Sequence, residues 1–453
     1  MLVVELFIKY VDSVFLIDMA ATQEQKRATL KFHPDGETLY REIHARPFPS
    51  VETPASVYQL AVLDSGASTH DIVTYIATLH PKLAAAYDVM LRDGAIYVEL
   101  EHYQFRWEKH REFCSYGFIE TKQHVDTILE QRLPVPVEWL AGLPGKVIVA
   151  TSVRMIPKAY DADDRARLNE YFDQKAVVGS NIVDSAASVW TSFEKHRNGF
   201  ARFVLYIEDL SPFQTGRTLQ RITEFETYRV MALLGLPLAR KIAPQMIDID
   251  TRLREVLAEL PAIESLDDER AVLRNITKLA TRLEELKSQS SFRFDASRAY
   301  SALVADRLVN LRERAFPGVS TMTKFLERRF NPAMRTCESV AENLDSLSQR
   351  LARSSTLLRT RVELSIAAQN QQLLESMDRR GRLQLRLQQT VEGLSVAAIS
   401  YYAVGLLQKI FEAMQLAGLQ INPKLLAGIA IIPVAGAVWW LVRRVRLSIE
   451  AES

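Results

Sequence analysis

Two long apolar blocks at the end of the chain constrain its fold more than any other feature. They cover residues 391–408 and 425–442, and each is about 18 residues, or ~27 Å of helix, which just spans the hydrocarbon core of a bilayer. Trp439 and Trp440 lie at the end of the second block, where indole rings prefer the headgroup level. The blocks predict a transmembrane hairpin, with a buried helical pair in a soluble domain as the alternative.

The basic residues around the two blocks predict their orientation. The connector, residues 409–424, carries only Lys409 and Lys424 as basic residues, whereas arginines flank the blocks on both outer sides. These are Arg379, Arg380, Arg382 and Arg386 before the first block, and Arg443, Arg444 and Arg446 after the second. Because basic flanks stay inside, both termini are expected in the cytoplasm and the connector outside.

The first block is unusually polar for a membrane span. Glu392, Ser395 and Tyr402 fall within about 80° of one another on a helix, so they share one stripe. Polar atoms are costly in hydrocarbon, and this stripe is therefore expected to face protein or water. Helix packing within a hairpin or homo-oligomer is one interpretation, and a pore lining is the other.

Composition narrows the possible partners. The net charge of +1 gives no general attraction to nucleic acid. Cys114 and Cys337 are the only cysteines, without a CxxC partner, so neither a disulfide framework nor a thiolate metal site is expected. No GxGxxG, HExxH or GxSxG motif occurs, and residues 192–195 (SFEK) match SxxK by form only. No cofactor, metal or reaction is predicted.

Helical patterns dominate residues 211–390. Breaks are predicted at residues 235–237, at Pro261, in the serine cluster 288–291 and at Asn331-Pro332. After Pro332 an apolar stripe at coiled-coil-like spacing predicts one helix over residues 333–411. Its members are Leu344, Leu347, Leu351, Leu358, Val362, Ile366, Leu373 and Met377. Such a helix needs the preceding helices or copies of itself to cover the stripe.

The pattern between residues 39 and 210 is different and predicts an α+β domain. Short β-prone runs occur at residues 57–63, 96–102, 104–112, 116–120, 147–153 and 203–207. Helices are predicted at residues 69–80, 161–172 and 182–197. Strands that follow strands, with helices inserted, indicate an α+β sheet rather than a doubly wound one.

Two stretches in this domain carry candidate ligand-binding residues. The first, residues 39–49, contains His44 and Arg46 in an extended turn bounded by proline. In the second, residues 105–113 are predicted as one strand, with Arg106, Glu108, His110 and Glu112 on one face, and Phe105, Trp107 and Phe113 on the other. A histidine among carboxylates permits acid–base work or binding of a small ligand or cation. A cross-strand ion-pair ladder, with His44 and Arg46 pinning a turn, is the structural alternative.

Four stretches resemble a bacterial family of uncharacterised membrane-anchored proteins, a domain of unknown function. They are REIHARPF (41–48), FRWEKHREF (105–113), ETYRVMALLGLP (226–237) and VEGLSVAAISYY (391–402). The first 38 residues lie outside the resemblance. It implies a bacterial inner membrane location and this architecture, and it implies no activity.

The overall layout is also similar to that of CorA-type magnesium channels, which are pentamers. Both have a cytoplasmic domain, a long helix entering a first span, a short outer loop, a second span and a basic tail. The Gly-Met-Asn that follows the first span in those channels is absent here, where the connector offers Asn422-Pro423.

The sequence thus predicts an α+β N-terminal cytoplasmic domain, an all-α helical stalk and a C-terminal two-helix transmembrane hairpin. The boundaries are an N-terminal segment (1–38), the α+β domain (39–210), the stalk (211–390), a first span (391–411), an external loop (412–424), a second span (425–442) and a basic tail (443–453). The expected partners are the bilayer and further copies of the chain. A scaffold or sensor, a CorA-like cation channel, and an enzyme using His44, Arg46, Glu108 and His110 are the functions considered.

Overall fold

The structure is a computed structural model that describes residues 33–450, with gaps at 37–38, 40–48, 64–65, 122–131, 162, 264 and 417–421, and with side chains as far as residue 444. The described residues divide into two compact units. The first lies within Met1–Arg252 and Ala280–Gln349, and the second within Leu253–Leu279 and Arg350–Ser453.

The first unit is built on one sheet. Within the described residues its strands are β1 Ala55–Leu63, β2 Ala95–Glu99, β3 Gln104–Lys109, β4 Phe113–Thr121, β5 Lys146–Ile156, β6 Val178–Ile182, β7 Ala187–Lys195, β8 Ala201–Ile207 and β9 Arg314–Ala315. Their order is β2-β3-β4-β1-β5-β8-β7-β6-β9. Only β5 and β8 run parallel, and the other neighbouring pairs are antiparallel. Residues 55–207 therefore form an N-terminal α/β sheet domain.

Short helices cover this sheet, and long helices form the rest of the chain. The short ones are α1 Thr69–Ala77, α2 Pro81–Ala85, α3 Tyr87–Asp93, α4 Val137–Ala141 and α5 Asp164–Tyr171. The long ones are α6 Pro212–Leu233, α7 Gly235–Glu259, α8 Leu266–Leu311, α9 Met322–Leu416 and α10 Pro423–Glu450. The C-terminal part of the protein is thus largely helical.

The two faces of the sheet bury different side chains because strand residues alternate. On one face Phe105, Trp107 and Phe118 pack with residues of α1, α2 and α3. On the other face Phe113 packs with Met231 of α6. The start of α6 is fixed by a capping box, in which the Ser211 hydroxyl accepts from the backbone of Gln214 and the Gln214 side chain accepts from the backbone of Ser211.

The predicted helix at residues 182–197 is wrong, since this segment is the β6–β7 hairpin. Val183, Asp184 and Ser185 all have positive φ and form the turn that sends β7 back along β6. The β-branched and aromatic residues of β7 pack well on a pleated sheet, which is the usual reason for strand formation.

The predicted strand over residues 104–112 is too long. Strand β3 ends at Lys109, and β4 begins at Phe113. The intervening turn reverses the alternation, so Phe113 shares the face of Arg106 and Glu108 instead of the face of Phe105. The expected placement of Phe113 is therefore wrong.

Two predicted helix breaks are also wrong, because α8 continues through residues 288–291 and α9 continues through Pro332. In α8 the Ser290 hydroxyl bonds back to the carbonyl of Leu286, 2.8 Å away, so this serine is accommodated inside the helix. The break near Gly235 is confirmed, since α6 ends at Leu233 and α7 begins at Gly235.

Three helical segments of the described chain are long and apolar enough to cross a membrane, judged by length and composition alone. They are Pro212–Ala262, Met322–Leu416 and Pro423–Arg444. Each segment has a most apolar stretch of its own. The share of that stretch buried inside protein is a third in the first segment, none in the second and 6% in the third.

Candidate functional site

A polar cleft in the first unit contains two of the predicted site residues, Glu108 and His110. It lies between the sheet and α6 and encloses about 40 Å³. Its walls are Gln59, Arg106, Glu108, His110, Phe113 and Ser115 from the sheet side, and Gln220, Thr223, Glu224, Thr227 and Tyr228 from α6. This volume holds a few water molecules or a small ion.

Arg106 and Glu108 form the centre of the cleft. Both lie on β3 two residues apart, so they point to the same face of the sheet. The Arg106 Nε donates to Glu108 Oε1 at 2.8 Å, and a second guanidinium nitrogen reaches the same oxygen. Their side chains are only 15% and 11% exposed, so water screens this pair weakly.

His110 lies in the turn after β3, beside Glu108. Its Nε2 is 3.6 Å from Glu108 Oε2, and its ring stacks on Phe113 with 4.3 Å between centroids. The turn itself therefore brings His110 back over the end of its own strand. The predicted proximity of Glu108 and His110 is present in the structure, though the two residues do not share one strand.

Residues from α6 and α8 extend the network, and they are not among the residues predicted from the sequence. Arg106 Nη1 donates to Gln220 Oε1 at 3.3 Å, and Gln220 Nε2 donates to Glu224 Oε1 at 2.6 Å. Arg307 of α8 then donates through Nε to Glu224 Oε2 at 2.6 Å. The neutral Gln220 amide thus links two ion pairs, Arg106–Glu108 and Arg307–Glu224, and this chain of contacts joins the sheet to two helices.

A second contact attaches the same turn to α8. Glu112 pairs with Arg293, and Tyr300 stacks on Tyr228 of α6 with 5.7 Å between ring centroids. Burial and the nearby Glu112 carboxylate raise the pKa of Tyr300 above its ordinary value of 10.0, so its phenol stays protonated even at alkaline pH. The β3–β4 turn is thus held by charged groups on both of its sides.

The chemistry of the cleft follows from this pairing. Both oxygens of Glu224 accept hydrogen bonds, and Glu108 is engaged by Arg106 and His110. The residues that the structure describes include no group of three or more His, Cys, Asp or Glu side chains placed to hold a metal ion. The cleft is therefore a charge-paired junction between the sheet and the helices.

The other predicted site residues lie elsewhere. His44 and Arg46 fall outside the described residues. Glu392, Ser395 and Tyr402 lie on α9 within the second unit, where Glu392 is half-buried, Ser395 is exposed and Tyr402 is 72% exposed. The two groups of predicted residues belong to different units.

The fold and the cleft define a class of protein with an α/β sheet domain followed by a large helical part. The chain belongs to the family described as "Protein of unknown function (DUF3422)", which matches residues 31–449. The predicted membership of a family of unknown function is confirmed. The match begins before residue 39, where the resemblance was expected to begin. A search of curated proteins finds no match.

Proposed function

We propose that the protein is a membrane-anchored scaffold or sensor that self-associates through α9, with its sheet domain and both termini in the cytoplasm of a bacterial cell. The observation that carries the proposal is the apolar stripe of α9, which is covered by protein only as far as Ile366. Beyond that point the stripe is exposed and leads directly into the first predicted span.

The covered part of the stripe lies beside the start of α8 in the second unit. Leu351, Leu358 and Val362 are buried there, as are Val272, Ile276 and Leu279 of α8. Arg361 joins the helices, since its Nε donates to Glu269 at 2.6 Å and its other nitrogens donate to the carbonyls of Leu260 and Ile263.

Helix α8, which lies beside the covered part of the stripe, has its first residue at Leu266 and offers nothing to pack on α9 beyond Ile366. Helix α9 itself continues for another fifty residues. Residues 367–390, about 36 Å of helix, are exposed throughout. Leu373, Met377 and Leu387 are 61%, 66% and 70% exposed, and they continue the stripe of Leu358 and Val362 within about 100° of the helix surface. Exposed apolar surface of this extent marks an interaction site.

A second copy of the chain is the partner that fits this stripe. Copies anchored in one membrane with one orientation carry their α9 helices parallel and at the same height. Each uncovered stripe then meets the same stripe of its neighbour in register, which is the geometry of a parallel coiled coil.

Membrane anchoring is supported by the exposure of the two C-terminal apolar segments. A soluble protein seldom exposes whole apolar helices, whereas lipid covers them favourably. Arg443 and Arg444 lie over the rings of Trp439 and Trp440, at 5.1 and 5.2 Å. Aromatic and basic side chains together are typical of the interface on the cytoplasmic side.

Light scattering on the full-length protein in detergent tests the proposal. After the detergent contribution has been subtracted, we expect the protein mass to equal that of two or more copies of the chain. A monodisperse, folded monomer over a range of detergents would contradict self-association.

A CorA-like cation channel is the second candidate, and the continuity of α9 favours it. A single helix, Met322–Leu416, runs from the first unit into the first predicted span, and α10 follows after a short connector. In this function Glu392, Ser395 and Tyr402 line the pore.

Flux of Mg²⁺ and monovalent cations into liposomes distinguishes the two functions. A channel predicts flux that changes in the S395A and Y402F variants, with S339A, outside the predicted span, as a control of unchanged flux. A well-folded oligomer without flux excludes the channel and leaves the scaffold. The third function, an enzyme using His44, Arg46, Glu108 and His110, gains no support from the cleft, because Glu108 is already ion-paired.

A further inference from the structure

Asp173, Ser192 and His196 form a hydrogen-bonded chain in the first unit that shares no residue with the cleft. The His196 Nδ1 lies 2.8 Å from Asp173 Oδ2. The His196 Nε2 lies 3.1 Å from the Ser192 hydroxyl. A serine, a histidine and a carboxylate are thus connected in the order that activates a serine nucleophile.

The direction of each hydrogen bond follows from the groups involved. An ionised carboxylate only accepts, so the Nδ1 of His196 carries the proton that points to Asp173. In the neutral imidazole Nε2 then has a free lone pair, and it accepts from the Ser192 hydroxyl. The serine proton is therefore directed at the nitrogen that would remove it.

The charges around the chain favour these protonation states. The hydrogen bond from His196 holds the pKa of Asp173 below its usual range, with Arg202 3.4 Å away adding to the effect. Burial lowers the pKa of His196, whose side chain is fully buried, although Asp173 opposes this. Arg202 and Lys175 are the cationic groups that further disfavour a protonated His196. At neutral pH the pair is carboxylate and neutral imidazole.

An irregular strand segment places Ser192 beside His196. The pairing of β7 with β8 shifts register between Thr191 and Lys195, and Phe193 within this bulge has a φ of +55°. Phe193 is held there by packing, since it stacks on Phe325 with 4.9 Å between ring centroids and lies 5.9 Å from Phe225. The backbone of Asp173 is also left-handed, with a φ of +54°. Strained backbone of this kind concentrates at functional sites.

We propose that Ser192 is the nucleophile of an acyl-transfer site that hydrolyses carboxylic esters, with His196 as its base and Asp173 orienting the imidazole. The Ser192 oxygen bonds to the ester carbonyl carbon while its proton passes to His196. The C–O bond to the alcohol breaks, and the alcohol leaves with that proton. Water, deprotonated by the same imidazole, then bonds to the acyl carbon. The C–O bond to Ser192 breaks, the imidazole returns the proton to the serine oxygen, and the acid leaves.

Ser192 is 4% exposed, so a substrate reaches it only after a local opening, which our proposal assigns to the ion pair between Lys175 and Glu194. Lys175 Nζ contacts Glu194 Oε2 at 2.8 Å and the carbonyl of Lys195 at 3.0 Å. It thereby joins the segment that carries Asp173 to the segment that carries Ser192.

A fluorophosphonate probe tests the proposal on the full-length protein in detergent. Attack of the Ser192 oxygen on phosphorus expels fluoride and leaves a stable phosphonyl-serine, which peptide mass spectrometry locates. We expect labelling at Ser192 that slows at least about 100-fold in H196Q. Labelling is expected to fall as the pH drops and His196 becomes protonated, and to accelerate several-fold in K175A, where the surface ion pair is lost.

Ser188 is the matched control, because it lies on the same strand and is 3% exposed, and its hydroxyl accepts from Trp190. The S188A variant should label like the wild type, whereas S192A should lose the label. The melting temperature of S192A is recorded to show that the variant is folded. A folded wild type whose Ser192 stays unlabelled, also in K175A, would overturn the proposal. Equal labelling rates in H196Q and wild type would overturn it as well.

Discussion

Glu108 accepts hydrogen bonds from Arg106 on its own strand and lies beside His110 in the following turn. Both residues of the Arg106–Glu108 pair are largely withdrawn from water, so removal of one charge leaves the other without compensation. A buried charge without its partner is far more costly than the pair was favourable. At the residue scale, loss of either charged partner in the cleft is therefore expected to destabilise the fold.

The E108Q variant tests this cost. We expect the free energy of unfolding to fall by about 2 kcal/mol, because Arg106 loses its charge partner in a poorly screened site. Urea unfolding in detergent, followed by tryptophan fluorescence, measures the change. D93N is the control, because it removes the ion pair between Arg92 and Asp93, whose side chains are 67% and 42% exposed. It should lower the free energy of unfolding by less than about 0.5 kcal/mol. Equal effects of E108Q and D93N would contradict the account.

His196 predicts how stability depends on pH. Its ordinary pKa is 6.5, and burial lowers the value in the folded state, so the unfolded chain binds the proton first as pH falls. Stability is therefore fully present above pH 6.5 and decreases as pH drops through that value toward the folded-state pKa.

Melting temperatures recorded between pH 8 and pH 5 test this dependence. The wild type should lose stability below about pH 6.5, and H196Q, which has no titrating ring, should lose less over the same interval. An identical pH profile for the two proteins would show that His196 is not the group responsible.

At the element scale, the proposed self-association depends on the uncovered part of α9. We expect the combined variant L373Q/M377Q/L387Q to shift the protein toward monomer, because it removes apolar contacts from the stripe while leaving the first unit unchanged. Each lost apolar contact weakens association by about 1–2 kcal/mol.

Leu364 offers a matched control for these substitutions. It is 66% exposed, like Met377, and it lies on the opposite side of the helix. L364Q should leave the subunit number unchanged by light scattering. Dissociation by L364Q to the same extent would mean that the stripe has no special role.

Local patterns predicted the long elements well and the turns poorly. The apolar stripe of α9 marks its helix clearly, since Leu351, Leu358 and Val362 recur at helical spacing and are buried. The β6–β7 hairpin was missed because its turn uses Val183, Asp184 and Ser185 at positive φ, where glycine or asparagine would be a recognisable signal.

The candidate site was only half predictable for a related reason. Arg106 and Glu108 share a strand face, so their proximity follows from the two-residue period. Gln220, Glu224 and Arg307 come from distant helices, and no local spacing reveals contacts that the tertiary fold creates. The same holds for Asp173, which lies 23 positions before His196 and meets it only across the folded sheet.

At the scale of the whole molecule, the two units differ in the polarity of the groups that they pair or expose. The first is a sheet domain whose cleft and buried Ser192 chain are made of paired polar groups. The second carries apolar helices that protein barely covers, ending in the Trp439 and Trp440 pair with its arginines. This division of surfaces is what we expect if, as proposed, the second unit anchors the protein in a membrane.

Site-directed cysteine labelling tests the predicted membrane hairpin most directly. The native Cys114 and Cys337 are buried, so a membrane-impermeant maleimide should react mainly with an introduced cysteine. Q371C lies on the exposed part of α9, and Q415C lies at the far end of the same helix. We predict that Q371C is labelled only from the cytoplasmic side and Q415C only from the opposite side. Labelling of both positions from the same side would contradict the account.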